Sequence, residues 1–294
     1  MTEPQRLLLA WYAQHGRTAL PWRVVRDPYS TVVSEFMLQQ TQVDRVVPKF
    51  EAFVARFPSV QALAAASRAD VLRAWQGLGY NSRALRLHGM ARAVVERFAG
   101  RMPREREALL DLPGIGPYTA AAIRAFAYDL DDAPVDTNVR RIVRRVTGAA
   151  DVDAAAHAFA PQGLAHDWNS AMMDLGAAIC TARAPKCLIC PLREHCAAAP
   201  IDASMLERAR KQTAKKPSPQ NAIPFERTSR FARGRIIDRL RALGAGERIS
   251  LLDLHGDLLP VLPGRSLEDV GKLVAILERD GLIARDGETI ALQD

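Results

Sequence analysis

Four cysteines are the most specific chemical signal in this sequence. All cysteines of the 294-residue chain fall between positions 180 and 196, with six, two and five residues between successive pairs. Cysteines confined to one short segment make a poor disulfide framework for a chain of this length. Four thiolates suit a structural zinc ion or a 4Fe-4S cluster, and spacing alone does not separate the two. The predicted metal ligands are Cys180, Cys187, Cys190 and Cys196.

Two carboxylates could perform acid-base chemistry. Glu35 lies in the segment SEFMLQQTQ, where helical periodicity puts it opposite an apolar stripe. Its neighbours on that face are hydroxyls and neutral amides rather than charged side chains, which favours a position in a groove over one in open water. Asp136 directly precedes an apolar-periodic run, which is the position of an ordinary helix N-cap. Two carboxyl groups of unequal pKa can cleave a glycosidic bond, one protonating the leaving group and one stabilising positive charge on the sugar. The residues alone leave both readings of Asp136 open.

Two glycine loops are candidate contact points for a ligand. LPGIG, at residues 112–116, lies between two helical stretches, so its glycines allow close approach and the next helix offers free N–H groups to an anion. A lone turn of this kind is most often only a turn. GLGY, at residues 77–80, follows a helix rather than a strand and is therefore not a dinucleotide fingerprint.

The elements that must position these residues are helices. Apolar residues recur at helical spacing in eight stretches of residues 1–200, and no sustained strand pattern occurs there. The stretches are Leu7 to Trp11, Val32 to Met37, Val43 to Phe57, Val71 to Trp75, Leu85 to Phe98, Thr119 to Ala127, Val139 to Val146 and Ala171 to Ile179. The sequence therefore predicts a mainly α fold.

A different pattern follows near the C-terminus. Residues 211–224 are polar, proline-containing and unpatterned, as in an interdomain linker. Helical periodicity returns at residues 231–243 and 266–280, and residues 282–292 are typical of a hairpin around an Asp-Gly turn. This order of elements predicts a small winged-helix-like module.

Charge indicates a polyanionic partner for the first part of the chain. The net charge is +7, and residues 1–224 hold 29 basic against 21 acidic residues, whereas residues 225–294 hold 11 against 12. Such an excess suits nucleic acid. No apolar run of 18 residues free of charge occurs, and the N-terminus lacks the order of a signal peptide. We therefore expect a cytoplasmic protein that binds no membrane.

In combination, these segments resemble the helix-hairpin-helix DNA glycosylases, which include endonuclease III and the MutY adenine glycosylases. The six-two-five cysteine spacing is that of their cluster, LPGIG matches their DNA-anchoring hairpin, and SEFMLQQTQV is close to the MutY motif SE-x-MLQQTQV. The resemblance covers roughly residues 5–200 and implies a 4Fe-4S cluster rather than zinc.

By this resemblance, Glu35 protonates adenine, Asp136 stabilises the sugar cation and Asn138 supports Asp136. Tyr118 stands where endonuclease III has a Schiff-base lysine, which implies a glycosylase that does not cut the strand. Thr137 departs from the family pattern, in which glycine is frequent at this position.

The resemblance also implies contacts with DNA. Arg23 matches an adenine-pocket residue, and the leucine and tyrosine of GLGY match wedge residues that enter the base stack during base eversion. Asn81 departs from the second aromatic residue often found after them. The predicted DNA contacts are Gln40, Leu78, Tyr80, Gly114, Gly116, Arg183 and Lys186.

Family analogy predicts the domain organisation. The predicted parts are a six-helix domain with the hairpin at 22–132, a cluster domain at 1–21 and 133–205, a linker at 206–224 and a winged-helix-like module at 225–294. Full-length MutY proteins carry a Nudix-like domain that contacts 8-oxoguanine, and about 70 residues are too few for one. The arginines between positions 227 and 241 could meet phosphate; equally, the module could cap the fold or bind a protein partner.

The expected function is that of a monomeric, monofunctional glycosylase of base excision repair. It would remove adenine mispaired with 8-oxoguanine or guanine from double-stranded DNA. Two alternatives stay open: a same-fold glycosylase for T or U opposite G, and a non-catalytic iron-sulfur protein that binds DNA or senses redox state. The Glu35 motif favours adenine, and the carboxylate pair argues against a silent protein.

Protein purified without oxygen should be brown and should contain iron, because the cysteine spacing occurs together with the hairpin and carboxylate motifs. Metal analysis checks this expectation. Stoichiometric zinc without iron would show that the cysteines form a zinc site instead.

Overall fold

The computed structural model describes residues 1–199, 207, 224–244 and 246–294. The fold is mainly helical, as the sequence predicts, and a small sheet lies near the C-terminus. Within the described ranges, no helix combines the length and apolarity that crossing a membrane requires. The predicted linker at 206–224 lies outside the described residues except at its last residue and at position 207.

Helices account for the regular structure of residues 1–199 that the structure describes. They are α1 (Glu3–His15), α2 (Pro21–Val24), α3 (Pro28–Leu38), α4 (Val43–Arg56), α5 (Val60–Ala65), α6 (Arg68–Ala74), α7 (Ser82–Phe98), α8 (Arg106–Leu110), α9 (Pro117–Tyr128), α10 (Thr137–Thr147), α11 (Val152–Phe159) and α12 (Ala165–Ala178). Short 3₁₀ turns follow at Cys187–Ile189 and Arg193–His195.

All eight predicted helical stretches are confirmed as helices. The apolar pattern does not predict α2, α5, α8 and α11, which have four to eight residues. An element of one or two turns presents too few apolar positions for a 3.6-residue period to be recognised. α5 and α11 begin with the side-chain caps Ser59 and Asp151, which are the local signals that mark them.

The chain divides by contact into two compact units. The first contains the described residues of Met1–Glu35 and Met102–Pro217. Its core forms around α12, which packs against α1, α9 and α10. Leu8, Ile142 and Trp168 are among the side chains buried there. This unit holds the hairpin segment, both predicted carboxylates and the cysteines.

The second unit contains the described residues of Phe36–Arg101 and Ser218–Asp294. α7 packs against α5 and α6, and Trp75 is fully buried beside Phe53, with an edge-to-face ring contact at 5.9 Å. The contact units differ from the predicted domains, because the hairpin segment groups with the cluster segment. The division at residues 22 and 132 stays a prediction.

The C-terminal module has the predicted winged-helix-like order. It contains a 3₁₀ turn (Phe225–Arg227), α13 (Ser229–Arg241), β1 (Ile249–Ser250), α14 (Leu251–Leu258), α15 (Leu267–Arg279), β2 (Ile283–Asp286) and β3 (Thr289–Leu292). The antiparallel sheet has the order β1-β3-β2. β1 and α14 were not predicted, since two residues of strand show no alternation and a helix of eight residues presents few apolar positions for a helical period. The hairpin loop is Gly287-Glu288, and Gly287 takes the positive φ of +57° that this tight turn requires.

Candidate active site

α3 carries Glu35 on the face that the sequence predicts. Val33 and Met37 are fully buried on the apolar stripe, and Glu35 is half-buried on the opposite side. Thr31 and Ser34 beside it are buried as well, with 3% and 1% of their surface exposed. The polar face of α3 therefore lies against protein rather than in open water.

Glu35, Tyr118 and Asp136 form one electrostatic cluster. Burial raises the pKa of Glu35 to about 7; a hydrogen bond from Tyr118 and the charge of Arg23 oppose this rise, and the charge of Asp136 adds to it. Burial, followed by the charges of both carboxylates, raises the pKa of Tyr118 well above its usual value. The phenol therefore stays protonated and donates to Glu35, which holds or releases a proton near neutral pH.

Asp136 is both a helix cap and a member of this cluster. Its Oδ1 accepts from the backbone N–H groups of Asn138 and Val139 at 2.8 and 2.7 Å, at the start of α10. Its Oδ2 accepts from Nδ2 of Asn138 at 3.1 Å. The two readings that the sequence left open are thus compatible, because capping fixes the carboxylate beside Glu35. Thr137, the departure from the family pattern, is exposed at the first position of α10.

α12 holds Asn138 in place through a close helix contact. A Cβ atom on Gly176 would lie 2.6 Å from Cβ of Asn138, so only glycine fits there. Arg141 donates through Nη2 to Oδ1 of Asn138 at 2.8 Å and to the Gly176 carbonyl at 2.9 Å, and through Nε to the Cys180 carbonyl at 2.7 Å. The same guanidinium thus connects the Asp136 cap with the first cysteine.

Arg23 lies in a buried ion-pair network that the sequence did not reveal. Its Nη1 lies 2.8 Å from Oδ2 of Asp174, and Arg17 binds Oδ1 of the same carboxylate at 2.6 Å. Asp174 is 2% exposed; burial raises its pKa, but the two arginines outweigh this and hold it below its usual range. The available signal was an acidic residue within the apolar segment of α12. Arg23 also lies over the Tyr12 ring at 5.8 Å.

The four cysteines line one small cavity and form no disulfide. Nη1 of Arg145 lies 3.3 Å from Sγ of Cys180. Burial, with a further contribution from the neighbouring thiols, raises the pKa of Cys190 to about 11. Bound iron would offset this cost, since a metal deprotonates its thiol ligands. Among the described residues, no three histidine, cysteine, aspartate or glutamate side chains are arranged to hold one metal ion.

This donor set fits an iron-sulfur cluster. Four thiols line one cavity, and a 4Fe-4S cluster takes one thiolate for each iron. A guanidinium beside them complements the negative charge of a cluster ligated by four thiolates. The predicted DNA contacts Arg183 and Lys186 are exposed in the loop between the first two cysteines.

The hairpin between α8 and α9 presents an uncapped helix start. Gly114 is exposed and has φ of +78°, a backbone conformation that favours glycine. Gly116 is the N-cap of α9 without a side-chain cap, and Pro117 follows at the first helical position. A Cβ atom on Gly116 would meet nothing within 4 Å. Backbone N–H groups are therefore open to an anion, as the sequence predicts.

The remaining predicted DNA contacts lie in the second unit and differ in exposure. Gln40 is exposed just after α3 and adopts a positive φ of +57°. Tyr80 is 41% exposed, whereas Leu78 is 4% exposed. Of the two predicted wedge residues, only Tyr80 presents its side chain at the surface, and insertion of Leu78 would require the loop to move.

Comparison with protein families identifies two segments. Residues 33–160 match the HhH-GPD superfamily of base excision DNA repair proteins. Residues 180–196 match the iron-sulfur binding domain of endonuclease III. The second match covers all four cysteines, and it supports a 4Fe-4S cluster bound by them.

Comparison with individual proteins gives consistent results. The chain is 48% identical over 198 residues to the adenine DNA glycosylase of Mycolicibacterium smegmatis, covering 64% of this chain and 67% of that protein. It is 42% identical over 250 residues to that of Mycobacterium tuberculosis, covering 80% and 77%. Among solved structures, a thermostable thymine-DNA glycosylase matches with a TM-score of 0.62 and 30% identity, over 69% of this chain and 95% of that one.

Replacing Glu35 by glutamine should stabilise the protein at pH 8 but much less at pH 5. The folded-state pKa of Glu35 is raised from 4.5 to about 7, so the wild type loses stability as pH rises through that window, by at most roughly 3 kcal/mol. Glutamine carries no such cost. Thermal unfolding at both pH values measures the difference, with the exposed Glu96→Gln as control. Equal shifts at both pH values would contradict the assignment.

Gly176→Ala should destabilise the protein by about 1–3 kcal/mol, because the new methyl group overlaps Asn138 and pushes α10 from α12. Gly234→Ala is the matched control, since that helical glycine has no atom within 4 Å of an added Cβ and should change stability by less than about 1 kcal/mol. Urea unfolding compares the two. A similar small effect at both positions would mean that the helices adjust without cost.

Proposed function

The chain belongs to the adenine DNA glycosylases of the helix-hairpin-helix superfamily, and we propose that it removes adenine mispaired with 8-oxoguanine or guanine from double-stranded DNA. Glu35 supports this proposal most directly. It is a half-buried acid with a pKa near 7, it accepts a hydrogen bond from Tyr118, and it lies beside the carboxylate of Asp136. Two carboxyl groups in unequal environments are what acid-assisted cleavage of a glycosidic bond requires.

Glu35 acts first, as the general acid. It donates its proton to a ring nitrogen of the everted adenine, and the C1′–N9 bond breaks with both electrons leaving on the base. The hydrogen bond from Tyr118 orients the carboxyl group while the acid is protonated. A pKa near 7 suits this task, because at neutral pH a large fraction of the carboxyl groups is protonated and the proton is readily donated.

Asp136 acts on the sugar. Its carboxylate stabilises the positive charge that develops at C1′, and the backbone N–H groups of α10 together with Asn138 keep it in a fixed orientation. A water molecule adds to C1′ and gives up one proton to Glu35, which restores the acid. The products are adenine and an abasic sugar, and the strand stays intact because Tyr118 offers no amine for a Schiff base.

DNA is held mainly through its backbone. The two glycines of the hairpin and the free N–H groups of α9 supply one phosphate site, and the excess positive charge of residues 1–224 favours DNA generally. In this proposal Gln40 and Tyr80 enter the duplex near the orphaned base. A bound 4Fe-4S cluster would join the four cysteine-bearing segments and thereby shape the loop that carries Arg183 and Lys186.

A thymine glycosylase is the second candidate, because a thymine-DNA glycosylase is 30% identical over 69% of this chain. The adenine-specific relatives are 42% and 48% identical over comparable or longer spans. Protonation by Glu35 also favours adenine, since a purine offers basic ring nitrogens to an acid, whereas thymine lacks one. These observations place adenine ahead of thymine.

Single-turnover assays on matched duplexes test the proposal. We expect base release from A opposite 8-oxoguanine and A opposite G, little from T or U opposite G, and a rate that falls about tenfold per pH unit above pH 7 as Glu35 loses its proton. Glu35→Gln should abolish release and retain duplex binding. Release of thymine alone would establish the second candidate, and full activity of Glu35→Gln would show that another group is the acid.

A further inference from the structure

The loop Gly77–Asn81, called the wedge loop below, has a backbone conformation that its own residues do not favour. Gly77, Gly79 and Tyr80 have φ of +89°, +71° and +46°, and Tyr80 carries a side chain in this costly region. Such a conformation persists only where the surroundings determine it. Trp75 donates to the Gly79 carbonyl at 3.1 Å, and Arg83 donates to the Leu78 carbonyl at 3.0 Å. Both contacts hold the backbone, not the exposed ring of Tyr80.

The Tyr80 ring is held by the C-terminal module. The guanidinium of Arg230, from the first turn of α13, lies 4.2 Å from the ring centroid. Arg83 contributes a second cation–π contact at 5.5 Å. A contact of this kind attracts the cation to the face of the ring and so restricts a side chain that is otherwise 41% exposed.

Asn81, the last residue of the wedge loop, is held by the other end of α13. Nη2 of Arg241 donates to Oδ1 of Asn81 at 2.7 Å, and Nε donates to the Leu72 carbonyl at 2.9 Å. Only 6% of the Arg241 side chain is exposed, and Asp238 pairs with its Nη1 at 2.9 Å. Asn81 occupies the N-cap of α7, yet its side chain makes no cap hydrogen bond. Its amide oxygen accepts the hydrogen bond from Arg241 instead.

The other three arginines of α13 form ion pairs within the module. Arg233, Arg235 and Arg239 pair with Asp280, Asp238 and Asp257, at 3.7, 2.5 and 2.6 Å. The helix therefore presents no continuous basic row for phosphate. The two arginines that reach beyond the module, Arg230 and Arg241, both reach the wedge loop or the helix before it.

We propose that the C-terminal module is a clamp that presets the wedge loop, with Arg230 and Arg241 as positioning residues. The clamp keeps Tyr80 at the surface in the conformation that enters the base stack, so less ordering is required when the target base everts. This inference rests on the proposed function, in which Tyr80 is a wedge. It also gives a role to the amide side chain at position 81, whose oxygen accepts from Arg241.

Arg241→Met tests the clamp, because methionine fills the space of the buried stem and removes the donors to Asn81 and Leu72. We expect single-turnover release of paired adenine to slow about tenfold. Arg239→Met is the matched control on the same helix, since the guanidinium of Arg239 pairs with Asp257 inside the module, and its rate should change less than about twofold. Arg230→Ala should slow release about threefold.

Two further measurements separate positioning from general damage. Adenine in single-stranded DNA needs no wedge, so Arg241→Met should release it at the wild-type rate. In a Glu35→Gln background, the fluorescence of 2-aminopurine placed beside the target adenine should increase less on protein binding with Arg241→Met than without it, because fewer bases are unstacked. Thermal unfolding and the cluster absorbance confirm that each variant is folded. Asn81→Ala should slow release similarly and add little to Arg241→Met.

The clamp is overturned if Arg241→Met and Arg239→Met release paired adenine equally fast. It is equally overturned if Arg241→Met loses the same factor on single-stranded and paired substrates, or if Asn81→Ala and Arg241→Met slow release additively. Failure of the proposed function has a different signature, since the wild-type protein would then release no adenine from any of these substrates.

Discussion

Placing one carboxyl group away from water, next to a second carboxylate, is the constraint around which the candidate active site is organised. Glu35 can be kept there only if it holds its proton near neutral pH, and burial together with the charge of Asp136 produces that result. Tyr118 supplies a donor without supplying a charge. The site thus combines an acid that is easily protonated with a carboxylate that helical hydrogen bonds orient.

Helix packing orients the groups that surround the two carboxylates. Asp136 is oriented because it caps α10, Asn138 is oriented because Gly176 lets α12 approach, and Arg141 connects that contact to the carbonyl of Cys180. The cluster segment and the carboxylates therefore share one set of contacts. One guanidinium thus joins the carbonyl of Cys180 to the Asn138 side chain, which in turn donates to Asp136.

A buried guanidinium organises the other unit. Arg83 is 5% exposed and donates to the carbonyls of Phe36, Met37 and Gln39 at the end of α3 and to Leu78 of the wedge loop. Backbone carbonyls at a helix C-terminus are a favourable environment for such a charge. The C-terminal module adds Arg230 and Arg241 to the same loop, so arginines from two different helices contact one short segment.

Local sequence determined the helices of three turns or more, the hairpin of the module and the cysteine ligand set, because periodicity, turn residues and spacing are read over neighbouring positions. It also predicted the polar face of Glu35. Tertiary structure alone decided that Asp136 is cap and site member together, that Asp174 pairs with Arg17 and Arg23, that Leu78 is buried, and that Asn81 meets Arg241. These pairs join residues up to 160 positions apart. No local pattern records such a partner, since it is selected by how the helices pack and by the need of buried charges for one another.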